Sequence, residues 1–205
     1  MVALPGRNKH SEALANSALS VLRQHEGPRL DQRQFATDFA VAIQPALRKT
    51  FTAAAAQTNR HTGEHAGEEQ LTSDAARWSE QFSQRLAEEI AAATQQRLDE
   101  ATAKAGEDPD AAQAIQAAAF SPERALAIGV TETTRAAVAG RERIAALVLL
   151  LTGRRLEAYW STSGNLNVCQ ECCAPLEGEP RAVWAEVAPG GPPYHPHCEC
   201  DLEYR

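Results

Sequence analysis

Apolar residues recur every three to four positions through the first two thirds of the chain, the spacing that puts side chains on one face of an α-helix. Leu14, Ala18, Val21 and Leu22 predict a helix over residues 11–24, which Gly27-Pro28 ends. Asp31, with Gln34 three residues on, resembles a capping box. Phe35, Phe39, Ile43, Leu47 and Phe51 then predict a second helix over 31–57, which Pro45 should kink. Residues 58–69 are polar, hold Gly63 and Gly67 and show no period, so they read as an exposed loop. From a cap at Ser73, the stripe Trp78, Phe82, Leu86, Ile90 and Leu98 predicts a third helix over 73–104, ended by Gly106 and Pro109.

An alanine-rich segment, 110–119, leads to Ser121-Pro122-Glu123, where a capping hydroxyl, a proline in the first turn and an early acid mark another helix start. That helix is expected over 122–139, carrying Leu126, Val130, Thr134 and Val138, with Gly140 interrupting it before the apolar run 144–151. The run reads as a buried helical turn. Beyond Gly153 the period becomes two, with Leu156, Ala158 and Trp160 alternating with Arg155, Glu157, Tyr159 and Ser161, as in a strand. Frequent Pro and Gly from Pro175 to Pro196 exclude long regular elements there. The expected organisation is a helical domain over 1–153 and a small module over 154–205.

Composition narrows the partners. A formal net charge of −7 argues against a surface built to neutralise phosphate, which needs clustered Lys and Arg. No apolar stretch resembling a signal peptide follows Met1, and the run 144–151 is too short to span a bilayer, so a reducing compartment and no membrane are the expectation. Aromatic residues are only 5% of the chain, and much of its hydrophobic content is alanine, which favours helices with thin cores.

All five cysteines fall within residues 169–200: Cys169, Cys172, Cys173, Cys198 and Cys200, with His195 and His197 beside the last pair. In a reducing compartment, and at an odd count, a disulfide framework is disfavoured. A Cys-x-x-Cys turn sets two thiolates on one side of a zinc tetrahedron, and a second half can come from His195, Cys198 and Cys200. The module has too few large apolar groups to fold on its own core, and bound zinc would supply the missing folding free energy. Its removal is expected to unfold 159–205. The metal residues predicted are therefore drawn from Cys169, Cys172, His195, Cys198 and Cys200: Cys169, Cys172, Cys198 and Cys200 make one set of four, His195 in place of either late cysteine makes another, and Cys173 is the spare thiol. His197 reads as a solvent-facing neighbour. The fold class is α+β, mainly α-helical with a small C-terminal β/loop zinc-binding module.

The strings around these ligands carry a resemblance. Tyr159-Trp160-Ser161-Thr162-Ser163-Gly164-Asn165, Asn167-Val168-Cys169-Gln170-Glu171-Cys172, Ala174-Pro175-Leu176-Glu177-Gly178 and Pro192-Pro193-Tyr194-His195-Pro196-His197-Cys198-Glu199-Cys200 resemble the phage Mu F-like head morphogenesis family. That family reads approximately W-x-T-x-G-D/N-x-x-V-C-x-x-C-x-x-L-D/E-G, then P-P-x-H-P-x-C-R-C. Upstream, Val130-Thr131-Glu132-Thr133-Thr134-Arg135-Ala136 is similar to the R-T-E-T-x-R-A helix of many members. Three features depart from the pattern: Val130 replaces the first arginine, Glu199 stands where Arg is common, and one extra residue separates Cys169-x-x-Cys172 from Leu176, so that the family spacing from Cys169 points to Cys172 and the spacing back from Leu176 points to Cys173.

The resemblance implies a minor capsid protein, a portal-associated structural component acting in head assembly or DNA delivery. Its partners would be the portal protein and the major capsid or scaffold protein, with packaged DNA nearby but not specifically bound. It would sit in the virion, at the capsid interior or portal vertex, after assembly in the host cytoplasm. The competing reading of the residues alone is a stand-alone zinc-ribbon adaptor or nucleic-acid-contacting module. No catalytic residues are assigned. Glu132 and Arg135 have the spacing of a helix-supporting pair. His61 and His65 lie among glycines and lack the glutamate of a zincin helix.

Overall fold

The computed structural model describes residues 4–63, 67–164 and 168–205. The fold is α+β. Helices α1 (Arg7–Gln24), α2 (Gln32–Thr62), α3 (Glu68–Lys104), α4 (Pro109–Ala119) and α5 (Pro122–Thr152) precede strand β1 (Ala158–Ser161), helix α6 (Arg181–Val187) and strand β2 (Asp201–Tyr204). Local chemistry explains the helix starts. The side chains of Asp31, Asp108 and Ser121 each accept a hydrogen bond from the backbone N–H three residues on, at 3.0, 3.0 and 3.2 Å.

Helix α2 packs against α3 and α5, α1 against α5 and α2, and α4 against α3. Phe35, Phe39, Ile43 and Leu47 of α2 meet Leu14, Ala18 and Leu22 of α1 and Phe82, Leu86 and Leu98 of α3 in the main core. A second cluster joins Phe51 and Ala55 to Leu71, Ala75, Ile144, Leu147 and Val148. Most of the periodic positions are thus buried, Trp78 and Ile90 partly so, whereas Leu126 of α5 is exposed.

The boundaries differ from the sequence expectations in three places. Residues 58–62 continue α2 and α3 begins at Glu68 instead of the expected cap Ser73, so the polar segment 58–69 is largely helical. Polarity there reflects an exposed helix face. Its residues 64–66, His65 included, lie outside the described ones.

Helix α5 also runs unbroken through Gly140. A Cβ there would strike the Phe51 carbonyl of α2, and one at Gly129 would come within 2.6 Å of the Ser11 carbonyl of α1. Both glycines permit helix crossings, which is a packing reason for glycine in a helix interior. Finally, the run 144–151 is only half buried: Ile144, Leu147 and Val148 face the core, whereas Leu150 and Leu151 are 78% and 67% exposed.

After Gly153 closes α5 in the left-handed conformation (φ 72°), the chain forms a small layer against that helix. Strands β1 and β2 pair antiparallel, Ala158 opposite Tyr204 and Ser161 opposite Asp201. Trp160 and Trp184, ring centroids 5.9 Å apart, are buried with Leu176, Leu202, Tyr204 and Val138 of α5. The module's core is therefore completed by the helical body.

Candidate metal centre

Two arms of the small layer bring thiols and an imidazole together. In the first, the N–H groups of Cys173 and Ala174 both donate to the Cys169 carbonyl, at 3.1 and 2.9 Å, folding 169–173 into a tight turn. A short 3-10 turn, Ala174–Leu176, follows. This arm is tied to β1 by the Gly178 N–H donating to the Trp160 carbonyl (2.8 Å) and the Trp160 N–H donating to the Glu179 carbonyl (2.9 Å). In the second arm the Cys198 N–H donates to the His195 carbonyl at 3.1 Å, and β2 begins immediately after Cys200. Pairing of β2 with β1 thereby fixes one arm relative to the other.

The donor atoms form two overlapping groups, Cys169, Cys172 and His195, and Cys173, His195 and Cys198, each with its ligand atoms within 4.8 Å of one another. Cys173 Sγ lies 3.2 Å from His195 Nε2, 3.8 Å from Cys172 Sγ and 3.9 Å from Cys198 Sγ. Tetrahedral zinc with Zn–S bonds of ~2.3 Å sets sulfur atoms roughly 3.8 Å apart. The two sulfur–sulfur separations match that edge, so the cluster fits a metal of this kind. His195 Nδ1 lies 2.8 Å from the Pro196 carbonyl, which can only accept; Nδ1 therefore carries the proton and Nε2 is left as the donor to a metal.

Charge within the cluster favours a cation. A hydrogen bond from the Cys200 thiol draws Cys198 down to about 5, against its burial. Burial pushes Cys173 up to about 12, and the hydrogen bond to Cys198 is the largest of the effects that raise Cys200. Each thiolate opposes ionisation of the next, and a divalent cation removes that opposition.

Of the predicted residues, Cys169, Cys172, His195 and Cys198 fall in these groups; Cys200 is buried against Cys198 and Cys173 but belongs to neither group. Cys173, the spare thiol of the sequence reading, is buried at the centre, contacting donors from both arms. The signal that pointed to it was the spacing back from Leu176 in the pattern the chain resembles. His197 is exposed, with φ 62°, and His61 is exposed near the end of α2. Glu132 and Arg135 form an i,i+3 ion pair at 2.6 Å.

The cluster rests on α5. The Thr134 hydroxyl donates to the Cys198 carbonyl at 2.6 Å in a buried hydrogen bond, and the His197 N–H donates to Thr131 Oγ1 at 3.1 Å. Among the described residues no helix is long and apolar enough to cross a membrane. Comparison with protein-family models, with characterised proteins and with solved structures gives no match to this chain.

Proposed function

We propose that this chain is a phage minor capsid protein of the Mu F-like head morphogenesis type, a portal-associated structural component that acts in head assembly or DNA delivery. The observation that carries the reading is a contact. The Val130–Ala136 string and the Pro192–Cys200 string, which resemble the family separately, touch each other through Thr131–His197 and Thr134–Cys198. A resemblance split over two distant segments is expected to meet in space when both belong to one functional unit.

The metal is zinc in a structural role. Thiolate and imidazole donors at tetrahedral spacing suit a borderline-soft ion, and the surplus of protein donors leaves no open position for substrate. The chain is a scaffold, not an enzyme. When bound, zinc supplies a covalent-like staple between the Cys169–Cys173 turn and the His195–Cys200 arm; the protein's own residues provide the tryptophan core and the seat on α5.

The test is co-expression with the portal protein of the same phage genome. Co-purification through the portal, salt-resistant and with about one zinc per chain by elemental analysis, is the expected result. No retention by portal or capsid shell, together with strong salt-dependent DNA binding, would replace the reading by a zinc-ribbon adaptor.

A further inference from the structure

The segment that carries the late ligands is gripped by the helical body on both sides of its cysteines. Before and at Cys198 the partners are Thr131 and Thr134 of α5. After Cys200 the partner is the Asp201 carboxylate, buried at 5% exposure, whose Oδ2 accepts from Arg7 Nη2 at 2.9 Å and Arg141 Nη2 at 3.0 Å. Arg141 Nε donates to Asp201 Oδ1 at 2.8 Å, and the same guanidinium reaches Thr58 Oγ1 and Gln57 Oε1 of α2 at 3.1 and 2.9 Å. Arg7, the first residue of α1, also donates to Thr134 Oγ1 at 2.8 Å.

These bonds close a ring. Arg7 holds both the Thr134 hydroxyl and the Asp201 carboxylate; Thr134 in turn holds the Cys198 carbonyl, and the chain from Cys198 to Asp201 completes the circuit. Three helices thus converge on a stretch whose direction is set by two cysteines. Residues 192–200 have neither helix nor strand of their own, and His197 sits at φ 62°, a left-handed conformation uncommon for a non-glycine residue.

We infer that Arg7, Thr134, Arg141 and Asp201 are positioning residues for the metal site, and that metal occupancy is coupled to the seating of α1 on α5. The inference rests on the reading that the thiol cluster holds a metal, and adds that the helical body senses it. Metal at Cys198 fixes the carbonyl that Thr134 binds and the direction in which Asp201 is presented. Its loss frees that segment and leaves the Arg7 and Arg141 guanidinium groups with weakened partners in a desolvated place. Linkage makes the effect mutual: whatever loosens α1 must weaken metal binding by the same factor. The metal is then a clasp between the chain's first helix and its last strand.

The experiment uses the full chain loaded with Zn²⁺. Hydrogen exchange before and after chelation is expected to show faster exchange at 192–201 and also in the first turns of α1 and the middle of α5. Competition for Zn²⁺ with a chromophoric chelator is expected to show affinity reduced about tenfold in Thr134→Val and in Arg7→Met, in the range found for groups that orient metal ligands. Thr134→Ser, which keeps the hydroxyl, restores it. Exchange changes confined to 159–205, or wild-type affinity in folded Thr134→Val and Arg7→Met, would overturn the coupling alone. A protein that takes up no Zn²⁺ overturns the metal reading itself, and the coupling with it.

Discussion

Glu132 is the carboxyl whose ionisation the fold opposes. Its side chain is buried in α5, and burial raises its carboxyl from 4.5 to about 7 although the Arg135 guanidinium pulls the other way. A folded value above the unfolded one means that the stability tied to this group is fully present below about pH 4.5 and is lost as pH rises to about 7. The cost of keeping it ionised above that pH is about 3 kcal/mol. Melting temperatures of the wild type and Glu132→Gln, compared at pH 5 and pH 8, should therefore diverge, the variant gaining by roughly 5–10 °C at the higher pH. Because both proteins carry the same thiols and imidazoles, the difference isolates Glu132; parallel pH profiles would show that its carboxylate is adequately solvated. Gly140 is the second diagnostic residue. In an exposed helix interior, alanine would stabilise by about 1 kcal/mol, but here its methyl meets the Phe51 carbonyl. Gly140→Ala is expected to lose roughly 1–3 kcal/mol in urea unfolding, as overpacked sites do.

At the scale of elements, the starts at Asp31 and Ser121 were legible because a side chain bonds its own backbone, and the ends of α1 and α3 were legible from Gly27-Pro28 and from Gly106 with Pro109, whereas the end of α2 was not. Asp31 caps α2 as its spacing with Gln34 suggested, and Asp31→Ala should cost about 1 kcal/mol, read as a fall in melting temperature of roughly 2–4 °C. The other end of α2 lies beyond its last phenylalanine, because helix hydrogen bonding needs no apolar face once the first turns are packed against α3 and α5. The same physics carries α3 back to Glu68, where two acids stand in the first turn and suit the positive end of the helix dipole. Helix α5 shows the complementary error: a glycine read as a break is a crossing point, since sequence spacing cannot tell a helix interior that needs a small residue from one that ends.

Across the whole molecule the two expected parts are welded by buried charge. Arg141 is 2% exposed and spans α5, α2 and β2 through Asp201, Thr58 and Gln57. Removing one partner of a buried pair leaves the other charge uncompensated, so Asp201→Ala should destabilise by about 3–5 kcal/mol and do so in the cooperative unfolding of the helices as well as the module. Far-UV circular dichroism and tryptophan fluorescence followed through the same urea titration would check this. Coincident, shifted transitions are expected, whereas a separate fluorescence transition that precedes the loss of helix would mean that the module, with Trp160 and Trp184, unfolds independently.

What near neighbours decide can be read along the chain. Helix faces, caps and the change of period after Gly153 follow from side chains within a few residues of each other, and the clustering of five cysteines with His195 already pointed to metal chemistry. The three-dimensional packing alone places Cys173 between donors of both arms, explains why Gly129 and Gly140 are glycine, and turns Leu150 and Leu151 to solvent. It also decided that Arg7 and Asp201, at opposite ends of the chain, form one ion pair. The reason is common to all four: desolvation and donor geometry depend on which distant segments share a space, and local spacing carries no record of that.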